Sequence, residues 1–251
     1  MAVMALHQVG ADPDARSMQQ VLRQLGNPAI ASHSRRFFKT GPGEYGEGDQ
    51  FLGIRLPVLR KLLPRYQHIP LGSIFTVLQS PWHEERLFAL LLLVARFAKG
   101  DQATRTAVFE QYLAHTAFIN NWDLVDCSAS QIVGAFLEDR GQDLLRTLAG
   151  SGSLWERRIA IVATLHGIKK QSFADCLAIA GLLLDDRHDL IHKAVGWMLR
   201  EVGKRDQTTL EFFLHQHSRY MPRTMLRYAI EKFPDSLRTA YLRNRVPGPE
   251  A

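Results

Sequence analysis

The sequence predicts an all-α chain of antiparallel helix pairs stacked side by side as an α-solenoid, and three observations carry the prediction. Apolar residues recur at three- and four-residue spacing in nearly every segment, and alternating β-branched runs bounded by turns are absent. The connections between apolar stripes are short and turn-like: Ser80-Pro81, Gly100-Asp101, Gly150-Ser151-Gly152, Asp185-Asp186 and Gly203 to Asp206. Short connections place successive helices antiparallel. Finally, the helix openings at Arg86, Trp122, Arg157 and Lys193 are equivalent, at steps of 36, 35 and 36 residues. That period, slightly shorter than the roughly 40–47 residues of HEAT and armadillo units, is an α-solenoid signature.

The elements follow in order. Met18, Val21, Leu22 and Leu25 form a first helical stripe, stopped by Gly26-Asn27-Pro28. Further stripes run over Val58–Arg65, Leu71–Gln79, Glu84–Lys99, Ala103–His115, Trp122–Leu137, Leu144–Leu148, Trp155–Lys169, Phe173–Leu184, Leu190–Val202, Thr208–His217 and Arg223–Lys232. The third column after each repeat opening holds Ala89, Val125, Ala160 and Gly196, preceded by Phe88, Leu124, Ile159 and Val195. Small or β-branched residues there suit close packing between neighbouring helices. The glycine-rich stretch from Thr40 to Gln50 interrupts the pattern as a surface loop. Residues 1–14, 40–50 and 244–251 are expected to be flexible within a single domain spanning 1–251.

Composition narrows the function. At 251 residues and 46% hydrophobic, the chain can bury a substantial core and is not a disordered protein. A formal charge of +6 and a pI near 9.5 favour a polyanionic partner on a concave basic surface. Cys127 and Cys176 are too few for a disulfide framework and have no metal-type pairing, so a reducing cytoplasm is expected. No secretion signal is expected at the N-terminus. The apolar run Phe88–Ala98 is broken by Arg96 and is shorter than the about 20 residues that span a bilayer. No membrane partner is expected.

The stretch NNWDLVD from Asn120 to Asp126 places Trp122 and Asp126 four residues apart, on one helical face. Stacked repeats bring equal columns together, and the column of Asp126 also holds Leu90, Ile161 and Trp197. Trp122, Arg157, Arg158 and Lys193 flank it, so an acid, two indoles and several cations can converge on one strip. Asp126 sits between apolar Val125 and Cys127, where a carboxylate needs either a task or an ion pair, with Arg157 or Arg158 as the candidate partner. The guanidinium fork of Arg158 suits phosphate oxygens. Lys193, Trp197 and Arg200 form a cation, indole, cation face able to track a nucleic-acid backbone, although Arg200 also fits a solvated surface. His188 and His192 in HDLIH have metal-ligand spacing, but Asp189 is a short acid and no third ligand is evident. No metal is expected. The lack of a glycine-rich phosphate loop after a strand, and of a GxSxG elbow, argues against nucleotide and serine hydrolases.

Four stretches, FLGIRLPVLRKL (Phe51–Leu62), NWDLVD (Asn121–Asp126), WERRIAIV (Trp155–Val162) and KAVGWMLRE (Lys193–Glu201), resemble the AlkD-like DNA glycosylases. These are HEAT-like repeat proteins that remove alkylated purines from DNA, and the likeness runs from about Arg36 to Lys204. The resemblance implies that Trp122 and Trp197 are the indoles flanking the lesion nucleotide, Asp126 the catalytic carboxylate and Arg158 a phosphate-binding cation. An aromatic residue of the early helix, often Tyr in that family, also faces DNA. Phe37 in RRFFK takes that place without the hydroxyl. Arg157, Lys193 and Arg200 complete the expected DNA-binding set. The implied activity is monofunctional hydrolysis of the N-glycosidic bond of N3-methyladenine or N7-methylguanine in duplex DNA, by a cytoplasmic, bacterial-type monomer without cofactor. The alternative is a noncatalytic HEAT-repeat protein that binds DNA structure or acts as a scaffold.

Overall fold

The computed structural model describes residues 13–138, 140, 141 and 143–243. Of the expected flexible ends, 1–12 and 244–251 lie outside the described residues, while Pro13 and Asp14 open the first helix. The regular structure among the described residues is helical, with no strand beyond one isolated bridge between Gln50 and Trp82. They divide into two compact units at Leu124/Val125.

The first unit contains α1 (Pro13–Gln24), α2 (Pro28–Phe37), α3 (Leu56–Tyr66), α4 (Leu71–Leu78), α5 (His83–Lys99), α6 (Gln102–Ala114), a 3₁₀ turn (Thr116–Phe118) and the opening of α7 (Trp122–Asp126). The apolar helix α5 is its centre and packs against α3, α4 and α6, with α1 laid on α4. Helices resting on their neighbours in sequence are the pattern of an α-solenoid. The loop joining α2 to α3 is tied to α5 by Glu84, a buried carboxylate that accepts the backbone N–H groups of Leu52 (2.8 Å), Gly53 (2.7 Å) and Ile54 (3.2 Å). Gly53 has φ +83°, and a Cβ there would lie 2.1 Å from the carbonyl oxygen of Asn27. Only glycine fits this position.

The second unit continues through a π-helical turn (Ser130–Gly134), α8 (Ala135–Leu137), α9 (Asp143–Ala149), α10 (Leu154–Ala163), α11 (Leu165–Lys169), α12 (Ala174–Leu182), α13 (Asp189–Gly203), α14 (Gln207–His217), α15 (Arg223–Ala229) and α16 (Asp235–Leu242). Helix α10 packs on α9 and α13, and α13 packs on α14 and α15. A Cβ on Gly196 would meet the Met225 carbonyl oxygen and the Tyr228 Cβ at 2.5 Å, so the α13–α15 approach depends on that glycine. The repeat columns read from the sequence are all buried: Phe88–Ala89, Leu124–Val125, Ile159–Ala160 and Val195 at full burial, with Gly196 beside them.

Two helix openings share one hydrogen-bonded clamp. Ser80 Oγ accepts the N–H of Trp82 (3.0 Å) and donates to Glu85 (2.6 Å), while Arg86 donates to the Ser80 carbonyl (3.0 Å). Ser151 Oγ accepts the N–H of Ser153 (3.0 Å) and donates to Glu156 (2.5 Å), while Arg157 donates to the Ser151 carbonyl (3.0 Å). Each clamp satisfies groups that a bare helix start leaves unpaired.

Three expected elements differ. The single helix over Trp122–Leu137 is broken after Asp126. The Ser128 N–H (3.1 Å) and hydroxyl (3.4 Å) both reach the Val125 carbonyl, and the chain then widens into the π-helical turn. The helix over Trp155–Lys169 is interrupted at Thr164, whose hydroxyl donates to the Ile161 carbonyl at 2.7 Å. The stop at Gly26-Asn27-Pro28 is also a start, because the Asn27 side chain accepts the N–H groups of Ala29 (3.0 Å) and Ile30 (3.1 Å) and caps α2.

Candidate functional site

The opening of α7 is held from both sides of Trp122. Asn121 accepts the Trp122 N–H on its own Oδ1 (2.8 Å) and donates through Nδ2 to Asp49 (3.4 Å). Asp123 accepts from His83 Nε2 at 2.8 Å, and His83 Nδ1 donates to Asp49 at 2.9 Å. Arg86 completes the cluster with a 2.6 Å bond to the other Asp49 oxygen. A ring that donates from both nitrogens is an imidazolium. Burial opposes that charge, but Asp123 and Asp49 outweigh it and carry the His83 pKa up to about 9. Burial would likewise raise the Asp49 carboxyl, but the His83 hydrogen bond and the Arg86 guanidinium hold it below its ordinary value.

An aromatic stack covers this cluster. His83 lies against Phe51 (4.6 Å between ring centroids) and Phe38 (4.8 Å), and Phe38 stacks on Trp122 at 5.4 Å with planes 23° apart. Phe37 meets Trp122 edge to face at 5.9 Å and is 57% exposed. Phe37 and Trp122, singled out separately in the sequence, are therefore in contact.

In the second unit, Arg158 grips Asp126 with two parallel bonds, Nε to Oδ1 (2.9 Å) and Nη2 to Oδ2 (2.8 Å), and donates its remaining nitrogen to the Leu190 carbonyl (2.7 Å). Arg158 is buried, while the Asp126 side chain keeps 20% of its surface open. Of the two partners open to Asp126 in the sequence, Arg158 is the one it meets. Arg157 instead bonds Asp186 at 2.6 Å and the carbonyls of Ser151 and Gly152. Lys193 pairs with Asp189 one turn away (2.7 Å), and Arg200 pairs with Glu231. Trp197 lies half-buried on α13, between them in sequence. His188 caps that helix by accepting the Leu190 N–H, and His192 faces the Asp186 carbonyl. Among the described residues no group of three or more His, Cys, Asp or Glu side chains could hold a metal ion.

Sequence reasoning missed Asp49, His83, Asp123 and Phe38. The one available signal was the polar run HEER at the head of the most apolar helix, where His83, Glu84, Glu85 and Arg86 are all buried. Buried charged residues require partners, and Asp49 supplies one from the loop read as merely exposed.

No helix among the described residues is long and apolar enough to cross a membrane. Comparison with curated proteins returns no match. Among solved structures, a protein described as a "predicted DNA alkylation repair enzyme" from Enterococcus faecalis shares the fold, with a TM-score of 0.64 at 19% identity over 84% of this chain and 97% of that one. Residues 18–233 match the family of DNA alkylation repair enzymes. That match spans most of the chain, including α7 and the Asp126–Arg158 pair, and the chain belongs to the DNA alkylation repair enzyme family.

Proposed function

We propose that this DNA alkylation repair protein is a monofunctional glycosylase. It hydrolyses the N-glycosidic bond of cationic alkylated purines, N3-methyladenine and N7-methylguanine, in duplex DNA and leaves an abasic site. The observation that carries the reading is the Asp126 carboxylate. It is fixed by two bonds from Arg158 and partly open to solvent.

Alkylation at N3 or N7 makes the purine a cationic leaving group, so the enzyme chiefly stabilises positive charge developing on the deoxyribose. A carboxylate held in advance does this electrostatically and can orient the attacking water. Indole faces can stabilise such a charge through their π electrons, the role that the family resemblance gives Trp122 and Trp197. Phe37 supports Trp122 at its edge and adds an exposed ring for stacking. Arg158 acts by positioning Asp126, while Lys193, Arg157 and Arg200 each reach phosphate by exchanging a carboxylate partner, Asp189, Asp186 and Glu231 respectively.

The test is release of free N3-methyladenine or N7-methylguanine from methylated duplex DNA by the native protein and by Asp126→Asn. A loss of about 100-fold or more is expected, since one preorganised charge contact is typically worth about 3 kcal/mol. Equal release by the two proteins would remove Asp126 from the chemistry. A second reading, noncatalytic DNA binding, draws on the same bidentate pair, because both Asp126 oxygens already have a partner. No base release by either protein, with salt-sensitive DNA binding intact, would select it. Retention of excision in chelator checks that HDLIH holds no required metal.

A further inference from the structure

The cluster behind Trp122 has no part in the chemistry above, yet it contains a buried histidine bonded through both ring nitrogens. We propose that His83 is the positioning residue for Trp122: through Asp123 on the backbone side and Phe38 on the ring side, it sets where the indole presents its face.

Both residues flanking Trp122 end in the same cluster. Asn121 is bonded to Asp49 and Asp123 to His83, and Asp49 is itself bonded to His83. The indole ring is held independently, by Phe38, which stacks on it and meets the His83 ring at a tilt. His83 thus touches both routes by which the indole could shift. Two simultaneous donations also require the charged ring, since a neutral imidazole has a single N–H. Glu84 and Glu85, the next residues of α5, are engaged elsewhere, with the backbone of Leu52–Ile54 and with Arg23 and Ser80, and Arg86 of the same helix bonds the other Asp49 oxygen, so Asp123 receives its α5 donation from His83. The loop from Thr40 to Gln50 acquires a task in this arrangement. It delivers Asp49 to the second nitrogen of the ring.

The consequence for activity rests on the glycosylase reading; the placement of the indole does not. Placement is read by ¹⁹F NMR of protein labelled with 5-fluorotryptophan, which carries indoles at Trp82, Trp122, Trp155 and Trp197. The Trp122 resonance is assigned by its loss in Trp122→Phe. His83→Asn is expected to shift or broaden that resonance and leave those of Trp155 and Trp197 in place. Asp123→Asn, which keeps the side-chain shape, is expected to do the same if His83→Asn does not fold. An unchanged Trp122 resonance in a folded variant overturns the proposal.

Activity is read as single-turnover excision of N7-methylguanine. A slightly misplaced group costs about tenfold to a hundredfold in rate, and DNA affinity should hold within about twofold. In a Trp122→Phe background, His83→Asn should add less than about threefold, because both changes remove the same contribution. Fully additive losses would show that His83 acts apart from Trp122 and overturn the proposal. Native protein that releases no base would sink the glycosylase reading, and the resonance measurement would then decide the positioning alone.

Discussion

At Asp126 a carboxylate and a guanidinium share two bonds, one partner buried and the other at the surface, and the two residues respond differently to substitution. Asp126→Asn removes the charge that the proposed chemistry uses. Arg158→Ala instead removes the clamp and the bond to Leu190, and about 2–3 kcal/mol of stability should go with them, read by urea unfolding. His83 makes a pH prediction. Its folded pKa of about 9 lies above the ordinary 6.5, so the stabilisation it contributes is complete below about 6.5 and is lost as pH rises through 9. Melting temperatures from pH 6 to 10 should show the native advantage over His83→Gln narrowing toward the alkaline end as the charged ring is lost; a constant gap would mean the ring is not titrating there. Trp122 and Asp126 could be found in the sequence because four-residue spacing defines a helical face. Asp49 could not, because its partners His83 and Arg86 lie 34 and 37 residues away and its own neighbours are loop formers.

Helices were legible where their buried face is apolar and continuous, as in α5 and α13. Two were not. Among the described residues of α2 and α16 only Ala31 and Tyr241 respectively are buried, so neither carries a stripe, and their starts are marked by Asn27-Pro28 and by Pro234-Asp235 alone. The break after Asp126 was hidden for the opposite reason, since apolar spacing continues through Ile132 and Leu137 while local Ser128 bonding ends the α-helix. At this scale, Gly53→Ala should cost about 3 kcal/mol or more, from strain at positive φ together with collision against the Asn27 backbone. Ser151→Ala, which opens the clamp at α10, should cost about 1 kcal/mol. Chemical denaturation separates the two, and equal effects would contradict the packing described for Gly53.

Across the molecule, the net charge of +6 makes a prediction that no single contact can. Affinity for duplex DNA should fall linearly with salt on logarithmic axes, with a slope of about −0.9 for each phosphate contacted. A flat titration would argue against a backbone-tracking surface. The repeat period was the most legible property of all, because every unit must bury the same columns to stack on its neighbours. The Ser–Glu–Arg clamp repeats with it, closing at Ser80 and Ser151 within six residues. As the chain leaves the ribosome, each of these openings can therefore be completed from residues already synthesised, and the start of a helix is set before the next repeat exists to pack against it.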